Sequence, residues 1–143
     1  MSIVMICAFL GHDKIYDTDI RSRLRSAVYS VAKKCEEVSF IFCGCGEFYD
    51  LCYAAALEAK YHFPKKEIYI SNEIADKSML NQATVVITYV YDGLHEKQSL
   101  TCRAFKTQEV IDITSKETAS RIESLIDTLT EREQLVMRRV NSG

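Results

Sequence analysis

Five short runs of β-branched, aromatic and other apolar residues punctuate the chain, at 3–10, 38–43, 67–70, 84–90 and 109–113. Each has the length and composition of a strand. Between them, apolar positions recur at helical spacing. Ile20, Leu24, Ala27, Val28, Val31, Ala32 and Cys35 mark one face of an amphipathic helix predicted over 18–36, after the acids Asp17 and Asp19. Cys52, Ala55, Ala56 and Ala59 give a second helix over 51–62 whose small apolar face suits close packing on a sheet, and Pro64 stops it. Segments 76–83 and 95–106 read as a third and a fourth helix.

Towards the C-terminus, Thr114 with Glu117 has the spacing of a capping box ahead of the stripe Ala119, Ile122, Leu125, Ile126 and Leu129. Thr130 with Glu133 repeats that spacing ahead of Leu135, Val136 and Val140, which predicts a helix pair or one bent helix. Strands and helices alternate, and the strands are continuous apolar runs, as in a parallel sheet covered on both faces. The predicted class is α/β: a three-layer Rossmann-like sandwich with a five-stranded, mainly parallel sheet. Residues 1–114 form that domain and 115–143 a C-terminal helical extension packed on it.

Length and charge narrow the picture. A chain of 143 residues holds one full core. Its 20 acidic and 18 basic residues leave a net charge of -2 and no basic field, which disfavours nucleic acid. The first apolar run is far shorter than the roughly 20 residues a bilayer span needs and has no basic flank, so a cytoplasmic protein without a membrane partner is expected. Of the six cysteines, Cys7 and Cys43 fall in predicted strands and Cys35, Cys52 and Cys102 in predicted helices. Reduced, mostly buried thiols are expected.

In such sheets ligands bind beyond the carboxyl ends of the strands, near the point where strand order reverses. Three loops fall there: Gly11-His12-Asp13, Gly44-Cys45-Gly46-Glu47 and Tyr91-Asp92-Gly93. Glycines between a strand and a helix let backbone amides approach an anion, and they also permit a sharp turn; the spacing fits both. His12 suits a general acid or base, an anion contact, or a turn residue held by hydrogen bonds. Glu47 and Asp50 are the candidate catalytic carboxylates, able to act on water or a ribose hydroxyl, or only to favour the start of the second helix. Cys43 and Cys45 lack the further close pair that a structural zinc site requires, so neither a metal nor a cofactor is expected.

The phrases "FLGHDKIYDTDI", "FIFCGCGEFYDLCYAAALEAKYHFP" and "MLNQATVVITYVYDG" followed by "AFKTQEVIDI" resemble, in order, the short bacterial proteins of the YpsA-like branch of the SLOG superfamily, across residues 3–114. That superfamily has a Rossmann-like fold and includes LOG-type phosphoribohydrolases, the DNA-uptake protein DprA and predicted sensors of nucleotide-derived ligands. The resemblance implies a nucleotide or nucleotide-sugar site. Gly11 and His12 match the branch's Gly-His-Arg, with Asp13 in place of the arginine. Gly44, Gly46, Glu47 and Phe48 match its Gly-x-Gly-Glu-Phe-Asp, with Tyr49 at the aspartate and Asp50 one residue late. Where the branch carries Gly-Gly-Ala, this chain reads Asp92-Gly93-Leu94-His95-Glu96. The ligand-binding set implied is Gly11, His12, Gly44, Cys45, Gly46, Glu47, Phe48, Asp92 and Gly93.

The departures share a direction. Losing the arginine removes a bidentate phosphate partner, and Leu94, His95 and Glu96 add bulk and negative charge. The departures imply a site that binds something less anionic or no longer binds; the expected function is a noncatalytic, sensor-type domain that binds a nucleotide or nucleotide-derived small molecule, with Gly44 to Glu47 as its phosphate or ribose loop. One alternative is a hydrolase of N-glycosidic bonds using Glu47 or Asp50, against which stands the absence of the LOG enzymes' P-G-G-x-G-T-x-x-E. Another is an interaction module with a decayed pocket, forming a homo-oligomer through its C-terminal helices. "LTEREQLVMRRV" is similar to the opening of a LuxR-type or sigma-type helix-turn-helix, but no recognition helix follows it, so DNA binding is not expected.

Overall fold

A computed structural model describes residues 3–90 and 108–115, together with 117, 120, 121, 124 and 128–142. The element order is β1 (Val4–Gly11), α1 (Ile20–Lys34), β2 (Glu37–Phe42), α2 (Glu47–His62), β3 (Glu67–Ile74), α3 (Lys77–Asn81), β4 (Val85–Tyr89), β5 (Glu109–Asp112) and α4 (Glu131–Ser142). The five strands form one sheet in the order β3-β2-β1-β4-β5, and every pairing is parallel. The fold is therefore the expected Rossmann-like α/β sandwich. Tyr91, Asp92, Gly93, Cys102 and the helix predicted over 95–106 lie outside the described residues.

Strand residues alternate between two cores, as the pleat requires. Cys7, Phe9, Phe40 and Ile87 face the buried side of α1 and α2, while Ala8, Leu10, Ile41 and Val86 face Leu80 and Ala83 of the α3 region. Both faces are thus covered by apolar groups, which explains why these strands read as unbroken apolar runs. Phe9 stacks on Phe40 at 5.6 Å and on Phe42 at 5.2 Å, forming an aromatic seam along the middle of the sheet.

Two boundaries differ from the sequence expectation by more than two residues. α2 starts at Glu47 instead of residue 51, because Phe48 and Tyr49 turn inward and are buried with the core. β3 continues to Ile74 through a bulge: the register moves from Phe40 against Ile70 to Phe42 against Ile74. The Ser71 hydroxyl holds this detour, accepting from the Glu73 N–H and donating to the Glu73 carbonyl, each at 3.2 Å. The polar run Ser71-Asn72-Glu73 hides the continuation from a pattern that looks for apolar residues.

The helices are tied by polar contacts that periodicity does not reveal. Lys66 Nζ donates to the carbonyls of Ala32 at 2.6 Å and Cys35 at 2.9 Å, closing the C-terminal end of α1. Thr130 and Glu133 form the reciprocal box expected of them, at 3.1 and 3.3 Å. Thr114 uses its hydroxyl to accept from the Val90 N–H at 2.9 Å, joining the end of β4 to the segment after β5. None of the five described cysteines is in a disulfide.

Phe40 is fully buried between Phe9 and the helices. Phe40→Ala is expected to lower the unfolding free energy by about 3–5 kcal/mol, a large share of a typical domain's stability. Urea denaturation checks this; a loss below about 1 kcal/mol would mean that the seam is not the packed centre of the sheet.

Candidate functional site

β1 is central: the chain runs from it outwards through β2 to β3 and then returns from β3 to β4 on its other side, so the strand order reverses between β1 and β4. The carboxyl ends of β1, β2 and β4 therefore frame the crevice where such sheets bind ligands. The structure brings Gly11, His12, Gly44, Cys45, Gly46, Glu47 and Phe48 to this end, as predicted from sequence.

What occupies the space beside the glycines is the chain itself. A Cβ on Gly11 would come within 2.7 Å of the Tyr89 carbonyl oxygen and 2.8 Å of the Phe48 ring. At Gly44 it would meet the Tyr49 ring at 2.6 Å. Gly46 has φ +121°, open to glycine alone, and a Cβ there would overlap the Asp13 carboxylate. Phe48 stacks on Tyr89 at 5.5 Å and meets Tyr49 edge-on at 5.1 Å.

Hydrogen bonds fix this aromatic plug. The Tyr49 hydroxyl donates to the Gly11 carbonyl at 3.0 Å and accepts from the Gly11 N–H at 3.1 Å. The Tyr89 hydroxyl accepts from the N–H groups of Tyr16 at 3.0 Å and Asp17 at 3.3 Å, and the His12 N–H donates to the Tyr89 carbonyl at 2.8 Å. At the start of α2 the Phe48 N–H donates to the Asp13 carbonyl at 3.1 Å. The Asp13 carboxylate lies against Gly46, and its Oδ1 is buried with no hydrogen bond to a described residue. A carboxylate at a helix amino end gains from the helix dipole, which offsets part of its desolvation.

His12 is fully buried, whereas Cys45, Glu47 and Asp50 are exposed. Asp17 is buried too; its carboxylate accepts from the Ser115 N–H at 3.3 Å and lies 3.8 Å from Arg23. Neither Tyr49 nor Asp13 is singled out as a site residue by spacing. Their signal was the substitution itself, an aromatic ring and an acid at positions where the resembling branch carries aspartate and arginine.

Open space begins just beyond the plug. A groove of about 210 Å³ lies against the ends of β2 and β3, with Gly44, Cys45, Tyr49, Asp50, Tyr53, Ser71, Asn72 and Glu73 in its lining. The Tyr53 ring, 38% exposed, leans on Phe42 at 5.8 Å. Glu47 is not among the lining residues. A wider groove of about 740 Å³ between α1 and β5 holds none of the predicted site residues that are described. Among the described residues no group of three His, Cys, Asp or Glu side chains is arranged to hold a metal ion, and no helix is long and apolar enough to cross a membrane.

The site defines a Rossmann-like α/β protein whose glycine loops are closed by its own side chains. No protein-family model matches the chain, and no curated protein matches it in sequence.

Burial raises the proton affinity of several groups here. It pushes the Cys7 thiol up, aided by Cys35 and Glu109, pushes Cys52 up, aided by Cys7, and pushes Tyr49 up against the opposing hydrogen bond to Gly11. The folded protein keeps protons that the unfolded chain releases above about pH 9 for the thiols and 10 for the tyrosine. The unfolded state then binds fewer protons, so this contribution is complete below pH 9 and is lost as pH rises. Denaturation midpoints are expected to fall from about pH 9 upwards. Tyr49→Phe should decline less steeply above pH 10. At pH 7 it should lose about 1–3 kcal/mol, because two backbone groups of Gly11 lose their partner. An unchanged midpoint at pH 7 would show that the hydroxyl anchors nothing.

Proposed function

We propose that the chain is a noncatalytic binding domain for a nucleoside-type ligand, a nucleotide-derived molecule recognised through its base and ribose instead of its phosphates. The groove beside Gly44 carries this reading. It offers the exposed Tyr53 ring, the carboxylates of Asp50 and Glu73 and the amide of Asn72, and among the described residues no lysine or arginine lines it. An aromatic face stacks on a base with about 1–3 kcal/mol per base. Carboxylates accept hydrogen bonds from a ribose diol and repel a phosphate.

The resemblance to YpsA-like SLOG proteins supports the nucleotide-derived class, and the plug of Tyr49, Phe48 and Asp13 supports the loss of the phosphate subsite. At about 210 Å³ the groove is smaller than the roughly 300–1,000 Å³ that enclose drug-sized ligands, which fits one ring system at modest affinity. The hydrolytic alternative narrows to Asp50, since Glu47 lies outside the groove.

Thermal-shift titration with nucleosides, their 5′-monophosphates and ADP-ribose tests the proposal. A nucleoside at 100 times its dissociation constant should add about 2.7 kcal/mol, its monophosphate should bind more weakly, and Tyr53→Ala should abolish the shift without unfolding the protein. Free base released in the same samples, and absent with Asp50→Asn, would replace the proposal by the hydrolase. Equal or tighter binding of the monophosphate, or no shift with any nucleoside, would overturn it.

A further inference from the structure

The bulge of β3 does more than interrupt the ladder. Ser71 bonds both the N–H and the carbonyl of Glu73, so the Glu73 backbone is held, while its carboxylate makes no hydrogen bond or ion pair with a described residue. A bulge beside a site commonly re-aims a side chain. Here Ser71, Asn72 and Glu73 line the same groove as Asp50 and Tyr53 of α2.

Among the described residues, the side chains of this groove are richer in acceptors than in donors. The Tyr49 hydroxyl already donates to the Gly11 carbonyl, and the Ser71 hydroxyl to the Glu73 carbonyl. The carboxylates of Asp50 and Glu73, when ionised, can only accept, and neither has a partner among the described residues. The strong side-chain donors left are the Asn72 amide and the Tyr53 hydroxyl.

A carboxylate is matched best by two parallel N–H donors, which its two oxygens accept together. Guanine alone among the four RNA bases carries such a pair, at N1 and at its 2-amino group, with the O6 acceptor next to them. Adenine and cytosine place an acceptor nitrogen beside their amino group, and uracil flanks its one N–H with two carbonyl oxygens. Those acceptors would face the carboxylate and be left unpaired. Resting on the nucleoside reading above, we infer that the groove selects guanine nucleosides, with Glu73 accepting from N1–H and the 2-amino group and Asn72 donating to O6. Asp50 stands three positions before Tyr53 on the same side of α2, where it serves the ribose diol of a base stacked on that ring. Glu73 is thus the specificity-determining residue, and Ser71 fixes the backbone that carries it.

The test is calorimetric titration of the full chain with guanosine, inosine, adenosine, cytidine and uridine, repeated on Glu73→Gln. Inosine is guanosine without the 2-amino group, so the wild type alone already reports whether that donor is read. Guanosine is expected to bind about tenfold or more tightly than inosine or adenosine. Glu73 is exposed, and circular dichroism checks that Glu73→Gln is folded. In that variant guanosine should fall to the affinity of inosine. Equal affinities of guanosine and inosine for the wild type overturn the inference while leaving the nucleoside reading in place. So do tighter binding of adenosine or a pyrimidine nucleoside, and a guanosine preference that survives in Glu73→Gln. Binding of no nucleoside at all overturns both.

Discussion

The Tyr49 hydroxyl, bonded to both the N–H and the carbonyl of Gly11, is the contact on which the carboxyl end of the sheet depends. Gly11 is the last residue of β1, the strand from which the two halves of the sheet diverge. Tyr49 belongs to the first turn of α2, so a single phenol ties the switch point to the helix that follows β2. Tyr89 does the same from β4, its hydroxyl holding the loop that leaves β1. Phe48 fills the space between them. Two strands, one helix and one loop are thereby locked around an aromatic cluster at the carboxyl end of the sheet.

This arrangement changes what the glycines are for. In a phosphate loop, missing side chains let backbone amides reach the anion. Here they make room for the Tyr49 and Phe48 rings and for the Asp13 carboxylate, and a methyl group at any of the three positions would strike one of them. The neighbouring groove is then lined by side chains of α2 and the β3 bulge. Ser71, Asn72 and Glu73 line that groove because the bulge displaces them from the regular ladder. The irregularity that concealed the end of β3 in the sequence is what builds one wall of the candidate site.

The sheet, its parallel sense and α1 were legible because burial on both faces writes itself as apolar runs and as the stripe from Ile20 to Ala32. The loops at the strand ends were also legible as a location, since glycines cluster there. Their use was not. Glycine spacing reports a need for space without saying whether a ligand or a neighbouring ring fills it, and Tyr49 looks polar enough for a loop until its hydroxyl finds Gly11. The true start of α2 was missed for the same reason, because Phe48 and Tyr49 belong to the plug and not to the small-residue stripe of Cys52, Ala55, Ala56 and Ala59. The role of Lys66 is not legible in the sequence, because a cation closing a distant helix end leaves no periodic trace.

Asp13 gives the electrostatic side of the same argument. A helix amino end favours a negative group by about 0.3–1 kcal/mol whether that group is a bound phosphate or the chain's own carboxylate. Asp13 is covalently attached, its carbonyl is already bonded to the Phe48 amide, and its carboxylate rests on Gly46. A free phosphate would have to displace it and accept repulsion from it, while the freed carboxylate lost its place at the dipole. Where an arginine at that position would recruit an anion, an aspartate supplies one. The chain thus carries a negative charge of its own at this helix end, and under the proposed function a ligand would be chosen by shape, stacking and hydrogen bonding in the groove outside.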